Sequence, residues 1–410
     1  MSKGNDYSRE DALSSERILP AQRTATSGRR MSVALPVLGA LVAVVFITFK
    51  ISVLPDVVSQ LLKVASIAIL LLLYAPTAFK RYRRLSWVAV YGLAIMVATV
   101  ASKSSLSNVA YAIVYGLGIC AMFSGFYVQR DRFGYRRLAR TAFWLLLVVC
   151  FLNDMSILLA PSHQSDSEYL LGSKFSAGYL HLILLALYLS LITDKRGLVL
   201  YNRGIYSVLF LESAYILALA DAMTCLVAIS LFFVLSILPG RLMGKLSIGW
   251  LLIIVLAAVN AIYFGTGMML QNPVISGFVQ NILGRNLTLT GRTQIYEALG
   301  QICVESPLFG FGYGNSVIAA YVGWGNAQNG IMELLVNFGF LGVATFALMV
   351  IASFPNARGP MPFRRGAACA FLAFILASLT EITFSGVFML FLALFSSLST
   401  ADDDSIERWK

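Results

Sequence analysis

The stretch Gly204-Ile-Tyr-Ser-Val-Leu-Phe-Leu-Glu-Ser-Ala-Tyr-Ile-Leu-Ala-Leu-Ala-Asp221-Ala-Met-Thr-Cys-Leu-Val-Ala-Ile-Ser-Leu-Phe-Phe-Val-Leu-Ser-Ile-Leu-Pro239 decides how the rest of the chain is counted. As one helix at 1.5 Å per residue it would run about 54 Å. The hydrocarbon core of a bilayer is only about 30 Å thick. Two spans, 204–220 and 222–239, joined by a tight turn at Ala220–Asp221, fit instead. The choice propagates, because one span more or fewer reverses the side of every later loop.

Composition supports a bilayer setting. The chain is 58% hydrophobic and 12% charged, against roughly 45–50% and about 25% in soluble domains. Such a surplus of apolar side chains suits a solvent of lipid tails. A spanning helix needs about 20 mostly apolar residues. On that measure the spans are 32–50, 58–78, 85–102, 107–127, 138–160, 174–193, 204–220, 222–239, 247–265, 331–353, 364–380 and 382–399. The expected fold is an all-α polytopic integral membrane protein of about twelve transmembrane helices. A polar tail, 1–31, precedes the transmembrane domain 32–399, and a second tail, 400–410, follows it.

The net charge of +11 does not point to nucleic acid, because the basic residues sit in short clusters between apolar runs. With twelve spans, all but six of the 31 lysines and arginines fall on one side. The six exceptions are Lys50, Lys63, Lys103, Lys174, Arg285 and Arg292. The positive-inside rule then puts both termini in the cytoplasm. One long outer loop remains, 266–330, with four formal charges: Arg285, Arg292, Glu297 and Glu305. Ile295, Tyr296, Leu299, Ile302 and Cys303 recur there at helical spacing, and Pro307 follows as a stop.

Of the five cysteines, four lie in apolar segments and none pairs as CxxC, so no disulfide framework or cysteine metal site is expected. With His163 and His181 the only histidines, a histidine-based metal site is not expected either. His181, two turns inside its span, reads as a packed, neutral core histidine. The polar N-terminus lacks the apolar core of a cleaved signal peptide.

Three blocks carry candidate chemistry. In Leu283-Gly-Arg-Asn-Leu-Thr-Leu-Thr-Gly-Arg-Thr-Gln-Ile-Tyr-Glu297, Arg292 falls in the first turn of the loop helix. A cation there opposes the helix dipole. An anion held by the free amides and the guanidinium would reverse that sign and make a phosphate seat. Arg285 could add a second fork. The alternative is that both arginines anchor to lipid head groups, and local sequence leaves the two readings open. In Pro307-Leu-Phe-Gly-Phe-Gly-Tyr-Gly-Asn315 the alternating glycines permit tight turns, and Phe309, Phe311 and Tyr313 could stack on sugars or pack on lipid. In Asn326-Ala-Gln-Asn-Gly-Ile-Met-Glu-Leu-Leu-Val-Asn-Phe-Gly-Phe-Leu-Gly342, Gln328 and Asn329 sit at the mouth of a span with Glu333 one turn inside. Carboxylates in lipid need a partner or water. The same argument marks Asp221 and Glu381. Lys174 enters its span from the same outer side.

Together these blocks resemble the O-antigen ligase and polysaccharide polymerase family. The order is Leu-Thr-Gly-Arg at Leu289–Arg292, Pro-Leu-x-Gly-x-Gly-x-Gly at Pro307–Gly314, a polar pair at Gln328–Asn329, Glu333–Leu334, and Gly-x-x-Gly at Gly339–Gly342. Thr380–Glu381 also matches. Two positions depart from the pattern. Gln328 stands where the family has histidine, and Asp221-Ala-Met-Thr224 stands where it often has Ser-Arg-Thr. Glutamine is no general base, which counts against ligase chemistry that depends on the histidine.

The resemblance implies an enzyme that polymerises undecaprenyl-diphosphate-linked repeat units in a bacterial inner membrane. It implies catalytic roles for Arg292, Gln328 and Glu333. It implies substrate contacts for Arg285, Lys174, Asn329, Tyr313, Asp221 and Glu297, with Glu297, Glu333 and Asp221 as alternative bases. No cofactor, metal or nucleic acid is implied. The expected partners are the lipid-linked glycan, membrane lipids, and a chain-length regulator and flippase of the same pathway. A ligase is the alternative enzyme. A lipid-linked glycan transporter would be expected to show inverted repeats and broken helices, and the sequence shows neither.

Overall fold

The computed structural model describes residues 25–159, 169–193, 199–265, 292–354 and 361–399. Among the described residues every regular element is a helix. In chain order these are α1 (Ala25–Thr48), α2 (Asp56–Arg81), α3 (Leu85–Ala101), α4 (Leu106–Phe133), α5 (Tyr135–Leu159), α6 (Lys174–Thr193), α7 (Val199–Leu219), α8 (Met223–Ile237), α9 (Gly240–Leu246) and α10 (Gly249–Gly265). Then come α11 (Arg292–Glu305), α12 (Val317–Val322), α13 (Gly330–Ser353), α14 (Met361–Ser378) and α15 (Gly386–Ser399). Each expected span contains a helix. Six of them, α2, α4, α5, α6, α13 and α14, are long and apolar enough to cross a membrane, and these mark a membrane protein. A seventh is added if α9 and α10 count as one broken span, bent by 83°.

The 204–239 run divides where expected. α7 stops at Leu219 and α8 starts at Met223. Asp221 takes a left-handed φ of 48°, a conformation that aspartate tolerates better than most residues. The Ala222 amide closes the turn onto the Leu217 carbonyl at 2.9 Å.

Packing follows membrane rules, with small residues at the crossings. The α3–α4 crossing brings Gly92 against Gly116, so closely that a Cβ on Gly116 would lie 2.9 Å from the Gly92 oxygen. α15 is apolar all round and buried from Val387 to Ser399, as a helix enclosed by others must be. It touches α4, α14, α1, α13, α6 and α5 and forms the axis of the bundle. At one end, Arg365 donates to the Ser236 and Leu238 carbonyls, while Arg364 donates to the Gly244 carbonyl and to Ser247 Oγ. The start of α14 thereby caps the carbonyl ends of α8 and α9.

The opposite end carries a second small core. Ile295, Leu299 and Ile302 of α11 pack with Ile318, Ala327 and Val336. These are the apolar positions of the expected loop helix, which runs from Arg292 to Glu305, two residues before Pro307.

Candidate functional site

The two glycine motifs of the sequence are each other's partners. α13 is not continuous: Gly339 breaks it with φ 62° and ψ −163°, a region open essentially to glycine alone. The break frees backbone groups, and the 307–312 loop takes them up. Phe311 and Gly312 amides donate to the Val336 and Asn337 carbonyls, each at 2.8 Å. In return, the Phe340 and Leu341 amides donate to the Pro307 and Leu308 carbonyls at 2.8 and 3.1 Å. The pairing is too close for side chains. A Cβ on Gly310 would lie 2.7 Å from Asn337 C and Phe338 N, and one on Gly339 would lie 2.6 Å from Phe309 N.

A chain of side-chain amides extends this pairing to the mouth of α13. Asn315 Nδ2 donates to the Gly312 carbonyl and to Asn337 Oδ1, at 2.7 and 2.6 Å. Asn337 Nδ2 donates to Glu333 Oε1, and the Ala327 amide donates to Glu333 Oε2, both at 2.9 Å. Both oxygens of Glu333 therefore hold the fold, one gripping the 326–329 turn and the other the glycine loop.

Asn329 is fully buried and is the N-cap of α13, accepting from the Ile331 and Met332 amides at 3.0 Å each. Its Nδ2 donates to Asn260 Oδ1 of α10 and to the Leu379 carbonyl after α14, at 3.2 and 3.4 Å. Gln328, half-buried, has φ 50°. Its amide and its Nε2 both donate to Asn326 Oδ1, at 2.9 Å each.

The remaining expected residues divide into two groups. Lys174 opens α6, with Nζ 5.6 Å from the Phe175 ring centre, and both it and Glu381 act electrostatically on Cys225 of α8. Thr224 and Thr380 stand 3.5 Å apart beside them. Glu381 lies in the non-helical link between α14 and α15 rather than within a span. Asp221 is likewise in an exposed turn. Arg285 lies outside the described residues, as do the side chains of Arg292 and Glu297. The backbone puts Arg292 at the first residue of α11.

Tyr313 belongs to a different wall. Its amide donates to Thr99 Oγ1 at 3.0 Å, and its ring lies 5.5 Å from that of Tyr115. Burial, and then the neighbouring Tyr111, push its phenol above the ordinary range, so the hydroxyl stays a donor. It lines a cavity of about 420 Å³ with Tyr111, Tyr115, Gln60, Thr48 and Lys63. Lys63 is the one charged side chain there, and among the described residues it has no hydrogen-bond or ion-pair partner. Tyr115 donates to the Phe384 carbonyl at 3.5 Å, and Gly386 also lines the cavity. The α14–α15 link thus carries both Glu381 and part of the cavity wall. Lys63 was not among the expected site residues, although a lysine five residues inside the 58–78 span was the available signal.

No protein-family model matches the chain, and no curated protein matches it significantly.

Proposed function

We propose that this protein is a membrane glycosyltransferase that polymerises lipid-diphosphate-linked oligosaccharide units on the outer face of a bacterial inner membrane. The observation that carries the reading is that motifs spread over residues 307–342 are one assembly. The glycine loop, Asn315, Asn337, Glu333 and Asn329 are joined by hydrogen bonds, Gln328 stands in the turn that Glu333 grips, and Tyr313 carries that assembly into the wall of a cavity with a lone lysine.

In such a transfer an acceptor hydroxyl attacks the anomeric carbon of the donor sugar. The bond to the carrier diphosphate breaks, the diphosphate leaves with the electron pair, and the hydroxyl proton passes to a base. The protein has to hold the diphosphate, offset its charge and align the hydroxyl. Arg292 and Arg285 are assigned to the diphosphate, with Lys174 as a third cation and Gln328 orienting the sugar or acceptor. Glu333 and Asn329 act by positioning. Glu297 and Asp221 are then the candidate bases.

Glycan chain length in a deletion strain tests the reading. A polymerase defect leaves single repeats attached to their acceptor, a ligase defect leaves long chains on the carrier, and a transporter defect leaves units on the cytoplasmic face. Reporter fusions after Arg196 and Lys245 should read cytoplasmic, and one near Asn315 external. A cytoplasmic reading at Asn315 would overturn the proposal, since the lipid-linked units would be on the other side.

A further inference from the structure

A separate group of chemically active side chains lies where α5, α6 and α7 meet, two of them buried and Glu212 on the exposed side. Asp154 of α5, His181 of α6 and Glu212 of α7 each bring one ligand atom within 4.8 Å of the other two. His181 is 1% exposed and Asp154 4%. Asp154 is five residues from the end of α5, His181 seven residues into α6, and Glu212 seven from the end of α7. At 1.5 Å per residue all three lie roughly 8–10 Å below the same end of the bundle.

His181 is held at both ring nitrogens. Nδ1 is 3.0 Å from the Ser213 hydroxyl, which also lies 2.7 Å from the Leu209 carbonyl, and Nε2 faces Asp154 Oδ1 at 3.1 Å. Glu212 is within hydrogen-bonding reach of Asp154, and no lysine or arginine is among the groups acting on the histidine or on Glu212. Carboxylates within spanning helices are paired with opposite charge, and one divalent cation would offset both at once.

The geometry suits that cation. Two ligands of a tetrahedral zinc ion with bonds of about 2.0–2.2 Å stand about 3.3 Å apart, close to the Nε2–Oδ1 separation. Ser213 faces the far ring nitrogen, where the outer partner of a metal-bound histidine stands. One imidazole with two carboxylates is a donor set for borderline divalent metals. Ser213 is not a nucleophile here, since it is fully buried.

We propose that Asp154, His181 and Glu212 form an intramembrane binding site for a divalent transition-metal ion of the zinc class, with Ser213 fixing the histidine. The proposal is independent of the glycosyl-transfer reading. A count of histidines misses such a site because two of its three ligands are carboxylates from other helices.

The test uses the full chain purified in detergent, freed of metal with a chelator and titrated with Zn²⁺ against a chromophoric zinc indicator. The expected result is one bound equivalent that raises the melting temperature. His181→Ala should abolish uptake, and Ser213→Ala should weaken it about 10–100-fold. Glu212→Gln preserves shape. It should melt like the metal-free wild type and gain nothing from zinc, which separates lost binding from failed folding. If the wild type yields all its zinc to the indicator, or if Glu212→Gln and His181→Ala both retain wild-type uptake, the site holds protons only and the proposal fails.

Discussion

The pairing of the glycine loop with the broken helix α13 makes a quantitative demand on Gly339. Alanine there would have to hold φ 62° and ψ −163°, at about 1–3 kcal/mol. Its Cβ would overlap the Leu308 carbonyl and come within 2.6 Å of Phe309 N. Those are backbone atoms that cannot swing aside, so overpacking adds about 1–3 kcal/mol. The chain can escape by undocking the loop. That surrenders the four pairing bonds between 307–312 and 336–341, together about 4 kcal/mol at about 1 each. The loss is therefore expected to be about 2–4 kcal/mol, and about 3 kcal/mol raises the undocked fraction roughly a hundredfold. Phe309, Phe311 and Tyr313 are chymotrypsin sites within the loop, and cleavage follows the open population when opening is fast. Gly339→Ala should therefore be cut in this loop on the order of a hundred times faster than wild type, and should lose polymer yield. Gly323→Ala is the control. It also has a positive φ, 76°, but its Cβ would meet nothing within 4 Å, so only the left-handed cost of about 1–2 kcal/mol applies, outside the pairing. If Gly339→Ala is cut no faster than Gly323→Ala, the pairing is not what holds the loop.

Four further outcomes follow from the site. Arg292→Ala should cut polymer formation by about 2–4 kcal/mol of barrier, as for loss of one charge-stabilising donor. Arg292→Lys should keep part of the activity, because a point charge replaces a fork; full activity of both variants in a complemented deletion strain at matched membrane levels would make Arg292 a lipid anchor. Gln328→Ala should lower polymer yield while the protein still reaches the membrane, and Gln328→His should be tolerated better; a fully active alanine variant would show the position to be dispensable. Asn329→Ala removes the cap of α13, at about 1 kcal/mol, and leaves Asn260 Oδ1 short of a donor, at about 1–3 kcal/mol. It should therefore lower the thermal midpoint in detergent, and an unchanged midpoint would refute the structural role. Lys63→Met should reduce polymer yield about 10–100-fold if the lysine pairs with a substrate anion, from the 1.5–3 kcal/mol typical of hydrogen bonds to charged groups, whereas Lys63→Arg should retain most of it.

Sequence alone determined the class of solvent, the division of the 204–239 run at Asp221, and the loop helix ending before Pro307. These are legible because they are local. Hydropathy follows from each side chain, and helix limits follow from breakers and the 3.6-residue period. Sequence order also isolated the two glycine motifs, but it could not say that residues 307–312 and 336–341 bond to each other. Likewise Asn329 reads as a polar residue at a helix mouth, and only packing reveals that α10 and the α14–α15 link converge on it. Glu381 read as a carboxylate in lipid because its neighbours are apolar, whereas the link that carries it is non-helical. The partners of His181 were the least legible. Its own surroundings in the chain are leucine-rich, so a packed neutral ring was the natural reading. Asp154 and Glu212 lie 27 and 31 residues away and meet it only because α5, α6 and α7 pack together. Lys63 and Tyr313, 250 residues apart, share a cavity for the same reason. Apolar spans carry no code for which neighbour they choose, since lipid tails solvate every apolar face equally well; close packing of small residues and a few buried hydrogen bonds make that choice, and they exist only in the assembled bundle.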